Sequence, residues 1–361
     1  MPRNMIEANQ RLFGRLADAG GQLLSSELRL QKRAVQTDAD EKQWLRQLKV
    51  WTSGHLLLGG ASKIAMGDFN GDLYLIAIGL QIVDPPAELE RVEVNAGIFT
   101  ATVSELEVGI IPSSDVSTRL LEYVFYPVEN GIELLDIEVI RPFFQPIEIY
   151  RVDRASALAI DPEFGLRAAT AAVLCSPSAR SLVWPQSSLD RLRFMVRDPA
   201  ERAPFHLLLR ALTEKREDAA FLAMYRCMEQ LFPVPKIAEL SAELKLSGAA
   251  LGIASTIERF LGWRRREEDA IAHLFGELDA TLVDRMVGVV GIESQEGNRS
   301  KLVSRRVYEL RNQCVHYRPA HASDTGSGFG GWLTLADLML EAVQSLYARY
   351  AIAFDAAEAK T

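Results

Sequence analysis

The chain has 361 residues, 48% hydrophobic and 24% charged, with 24 glycines and 15 prolines. Those proportions are typical of folded domains and exclude collagen-like or linker-dominated chains. A net charge of −8 excludes a surface that coats nucleic acid throughout, while leaving room for a local basic site.

No apolar run reaches the ~18 residues of a membrane span, and the first residues lack the apolar stretch of a signal peptide. Cys175, Cys227 and Cys314 are widely spaced, so neither a disulfide framework nor a cysteine-based zinc site is expected. A cytoplasmic protein without membrane contact is expected, built as two domains at this length.

Residues 1–54 read as helical. Leu12, Phe13, Leu16, Leu23 and Leu24 recur at helical spacing, and Trp44, Leu45 and Leu48 share one face of a second helix over 39–50. From 55 to 199 the pattern changes. The runs 73–83, 91–103, 106–111, 120–128, 132–140 and 147–152 are short and rich in β-branched and aromatic residues, with 157–175 a further strand candidate. Asn70-Gly71 and Asn130-Gly131 flank such runs, and this pair tolerates the positive φ of a type I′ hairpin turn. The expectation is a β-rich sensing or regulatory domain, an antiparallel sheet or sandwich.

The polar, proline-containing segment 195–204 predicts a domain boundary, and 200–361 reads as helical. Phe221, Met224, Tyr225, Met228, Leu231 and Phe232 form one helical stripe that Pro233 stops. Further helices are predicted over 248–262 and 264–279. A basic helix follows, with Val303, Val307, Leu310 and Cys314 on one face, and a closing helix covers 333–353. The fold class is therefore α+β: a β-rich N-terminal domain with a helical lead-in, then an all-α bundle.

Few residues form a chemical pattern. The stretch Asp68 to Asp72 has the alternating oxygens of a calcium loop, but no later carboxylate completes the ligand set, so it reads as a hairpin turn. Gly59-Gly60-Ala61-Ser62-Lys63 lacks phosphate-loop spacing. The five histidines have no paired spacing with carboxylates, so no metal and no cofactor are expected. Residues 299–318 stand apart, with six positive residues and one negative. With the stripe through Val303 and Leu310 facing the core, Arg305, Asn312 and His316 project oppositely and Arg311 lies at the flank.

Arg311-Asn312-x-x-x-His316, at the end of a late helix, resembles the R-x4-6-H motif of HEPN-domain ribonucleases. A preceding helix with Phe221-x-x-x-Tyr225-x-x-x-Glu229, and one more helix after the motif, extend the likeness over about 200–355, nearest to the Apea-like subgroup. The resemblance implies a HEPN-like bundle acting as a metal-independent endoribonuclease, in which the RNA 2′-hydroxyl attacks the neighbouring phosphate. It also implies a site completed across a homodimer of the C-terminal domain, and a place in prokaryotic antiviral defence or toxin–antitoxin biology. In that scheme Arg311 and His316 act with Asn312 and Glu229, while Arg305, Arg306, Tyr317 and Arg318 contact RNA. The residue types suit the chemistry, since imidazole titrates near neutrality and guanidinium stays charged. A protein or nucleotide trigger is expected at the N-terminal domain. The alternative is a non-catalytic HEPN adapter that binds nucleotide, RNA or a protein partner. Arg266 and His273 satisfy a looser form of the motif, but Glu267, Glu268 and Asp269 balance that cluster, which reads as a solvated face. Cys314, on the core stripe, reads as inert packing.

Overall fold

The computed structural model describes residues 2–51, 56–57, 62–127, 131–160, 165–245, 248, 250–261, 266–292, 298–315 and 329–355. The fold is α+β, and the chain divides into two compact units, 1–179 and 180–361.

The first unit contains, in order, α1 (Met5–Gly20), α2 (Ser26–Leu30), β1 (Lys32–Val35), α3 (Ala39–Gln47), β2 (Lys49–Val50), β3 (Leu56–Leu57), β4 (Lys63–Phe69) and β5 (Asp72–Ile78). It continues with β6 (Leu89–Val92), α4 (Ala96–Glu105), α5 (Val116–Tyr123), β7 (Ile132–Leu135), α6 (Ile137–Ile140), β8 (Ile147–Val152) and α7 (Leu166–Leu174). An antiparallel sheet runs β2-β4-β5-β8-β6, and β3 also pairs with β4. The expected hairpin is present. Phe69 stands opposite Asp72, and the two turn residues take positive φ, 52° at Asn70 and 85° at Gly71.

Several expected strands are helices. The run 91–103 ends its strand at Val92 and then forms α4, where Asn95 Oδ1 accepts the Ile98 N–H at 2.9 Å. Every residue from Ala96 to Ser104 is buried, so this helix has no polar face to give a helical period. It lies close enough to α3 that a Cβ at Gly97 would stand 1.9 Å from the Glu41 carbonyl oxygen. The run 157–175 likewise contains α7, buried from Arg167 to Leu174. In 120–128, the first four residues finish α5, whose polar first half lies outside the run. The run 132–140 splits at Asp136, whose carboxylate accepts the Glu138 N–H and starts α6. Its strand portion pairs in parallel with β1, Lys32 opposite Ile132, and makes no hairpin; Asn130 lies outside the described residues. In 106–111 only Ile110 bridges, to Phe144. The first unit is thus mixed α and β, with the lead-in helices α1 and α3 part of its core: Leu12, Leu16 and Leu45 cluster with Phe99 and Ile149.

The described residues of the second unit form helices: α8 (Gln186–Arg197), α9 (Phe205–Thr213), α10 (Glu217–Leu231), α11 (Val234–Leu244), α12 (Ala250–Leu261), α13 (Glu267–Gly276), α14 (Ala280–Val290), α15 (Arg299–Val315), α16 (Trp332–Arg349) and α17 (Ala351–Asp355). The division falls before α8 and not at 199, because α8 packs on α16. The α10–α16 pair is pinned by the Tyr347 hydroxyl, which donates to the Cys227 carbonyl at 3.0 Å. No helix among the described residues is long and apolar enough to cross a membrane.

Candidate active site

Helices α10, α13 and α15 pack against one another. The inward stripe of α15 is Val303, Val307 and Leu310, all fully buried. Cys314, one turn on, is only half-buried, so the stripe ends a turn earlier than its spacing predicts. Burial pushes the Cys314 thiol up to about 11, which keeps it protonated at neutral pH.

Arg311 leaves the flank of that stripe and reaches the two neighbouring helices. Its Nη2 donates to Glu229 Oε1 on α10 at 2.9 Å, and its Nη1 to the adjacent Asn312 Oδ1 at 3.1 Å. Glu267 Oε2, in the first turn of α13, lies 3.7 Å from Nη2. The guanidinium carbon stands 5.7 Å from the ring centre of the fully buried Tyr225. The Arg311 side chain is 16% exposed. Burial alone would lower its pKa, but the hydrogen bond and charge of Glu229, with Glu267 beyond it, hold the pKa above its ordinary value. Burial likewise raises the pKa of the Tyr225 phenol, and the Glu229 charge adds to the effect.

Three of the sequence-predicted residues therefore meet: Arg311, Asn312 and Glu229. Arg305 and Arg306 do not join them. Both reach Glu309 on their own helix, at 3.2 and 3.4 Å. His316, Tyr317 and Arg318 lie outside the described residues. Glu267 is the residue that sequence reasoning missed, and it corrects the reading of its cluster as merely solvated. Three successive acids in a first helical turn are already explained by the helix dipole, so nothing local marks the one that faces α15.

The basic segment is also less bare than its composition suggests. Arg299 pairs with Asp284 at 2.6 Å, so four of its six cations (Arg299, Arg305, Arg306, Arg311) have carboxylate partners. What the site offers is one guanidinium fixed by Glu229, whose Nε–H is buried and has no hydrogen-bond partner among the described residues. A guanidinium carries five donors, and those that an ion pair leaves unused and accessible can grip phosphate oxygens. No family model, curated protein or solved structure matches the chain.

Proposed function

We propose that the protein is a metal-independent endoribonuclease. Arg311 holds the phosphate that is attacked by the adjacent 2′-hydroxyl, and His316 moves the proton. The observation that carries this reading is the Glu229–Arg311 pair, 2.9 Å long, near the end of α15 and five residues before His316 in sequence. A guanidinium fixed before substrate arrives stabilises the charge that develops on the phosphoryl oxygens without reorganising. Asn312 steadies the guanidinium. A homodimer through the helical unit would bring two such sets to one groove; a strict monomer by light scattering at micromolar concentration would remove that part. Prokaryotic defence or toxin biology is the setting the HEPN resemblance implies.

A second reading is favoured by one feature. Arg311 is flanked by two carboxylates, as an arginine in a purely structural ion pair would be, and a non-catalytic adapter needs nothing more. Incubating total RNA with the wild type and with the R311A/H316A variant decides between them. The endoribonuclease reading expects cleavage by the wild type alone, unaffected by EDTA; an intact RNA population with both proteins selects the adapter.

A further inference from the structure

The first unit has a cleft of about 640 Å³ where the start of α1, the end of α3, β2 and the β4–β5 turn come together. That volume falls within the ~300–1,000 Å³ of small-molecule sites. Residues 1–179 carry the whole net charge of −8, and 180–361 are neutral. Within this acidic unit the cleft is an exception. Arg3, Arg11, Arg46 and Lys49 line it, against Glu7, Asp68 and Glu105.

All three acids are engaged. Glu105 accepts from Arg3 Nε at 2.9 Å, Asp68 pairs with Arg154 at 3.4 Å, and Glu7 accepts from the Asn4 amide at 3.2 Å. Arg3 is committed too, because Nη1 and Nη2 donate to the carbonyls of Leu45 and Leu48, at 2.7 and 2.8 Å. Two of the other three cations are left over. Arg11 is not one of them: its Nη1 donates to the Ser104 carbonyl at 3.4 Å and lies 3.9 Å from Glu105. Arg46 directs its Nε at the Met5 sulfur, 3.1 Å away. Neither Arg46 nor Lys49 has a carboxylate within salt-bridge distance among the described residues. Ala8 and Leu48 are buried behind the cleft, Pro2 and Val50 give it its accessible apolar surface, and the exposed Gln47 and Asn70 stand at its edge.

We propose that this cleft binds a nucleoside phosphate. The phosphates lie against Arg46 and Lys49, and the nucleoside rests on Pro2 and Val50 with its polar edges met by Gln47 and Asn70. A long polyanion is the poorer occupant, because the −8 of the unit repels whatever extends beyond the cleft. The proposal does not rest on the ribonuclease reading of Arg311.

The test is calorimetric titration of the full-length protein at physiological salt with ATP, GTP, inorganic tripolyphosphate and adenosine. The expected result is saturable binding of at least one nucleotide, weaker binding of tripolyphosphate and none of adenosine. Arg46 and Lys49 are exposed, so R46A/K49A should melt like the wild type while losing affinity by about tenfold for each cation removed. Four results would overturn the proposal: no binding of either nucleotide at millimolar concentration, unchanged affinity in R46A/K49A, adenosine binding as tightly as ATP, or tripolyphosphate binding as tightly as the nucleotides.

Discussion

Arg311 and Arg46 both sit near the C-terminal end of a helix, and they end in opposite states. Arg311 is largely buried between carboxylates from two other helices, its guanidinium fixed by Glu229. Arg46 is exposed at the rim of a cleft, with no carboxylate partner among the described residues. A fixed cation has already lost its rotamer freedom and offers one geometry, which suits transition-state stabilisation. A free cation is ordered by the anion it meets, which suits recruitment at some cost in affinity. Loss of Arg311 should therefore appear in rate and stability, and loss of Arg46 in ligand affinity alone.

The largest effect expected is on rate. Replacing His316 by Ala should slow RNA cleavage by ~10²–10⁴, and R311A by ~10²–10³, in initial-rate assays. Equal rates for R311A and R46A would dissolve the contrast between the two sites. Next comes the helix that carries Arg311. L310A removes a fully buried side chain from α15 and should cost ~2–5 kcal/mol in denaturant unfolding. R311A leaves Glu229 unpaired and should cost ~1–3 kcal/mol, whereas R46A should stay within ~0.5 kcal/mol. A near-zero cost for R311A would mean that Glu229 does not hold the guanidinium in solution.

The smallest effect sharpens the local picture at the end of α15. With the Cys314 thiol raised to about 11, only its thiolate reacts. Alkylation at Cys314 should rise about tenfold per pH unit from 7 to 10 and level off above 11, read by mass spectrometry. A plateau near pH 8.5 would show an ordinary exposed thiol.

What could be read from the sequence differs between the two units for a physical reason. In the second unit α10 and α15 keep polar faces, so Tyr225, Glu229 and Arg311 fall on predicted helices and their meeting is close to what motif and spacing suggest. In the first unit α4 and α7 are buried on all sides. Without polar positions at helical spacing, their Ile, Val and Thr read as strand residues. The parallel pairing of β7 with β1 joins segments one hundred residues apart, and no turn signal announces it. Asn70-Gly71 was legible because a two-residue turn is a local event. Glu267 was not, because its role depends on which helix packs beside it. The leftover cations of the α1–α3 cleft, Arg46 and Lys49, were hidden for the same reason: their charge becomes distinctive only once Glu105, Asp68 and Glu7 are seen to have other partners.

The most direct test of the central claim is cleavage of a synthetic RNA and of the same oligonucleotide with a single 2′-deoxy sugar at the cleaved position, in the presence of EDTA. If Arg311 serves attack by the 2′-hydroxyl, the wild type cuts the first to 2′,3′-cyclic phosphate and 5′-hydroxyl ends and leaves the second intact at that position, while R311A cuts neither. Cleavage of both substrates at similar rates, products with 5′-phosphate ends, or full activity in R311A would contradict it.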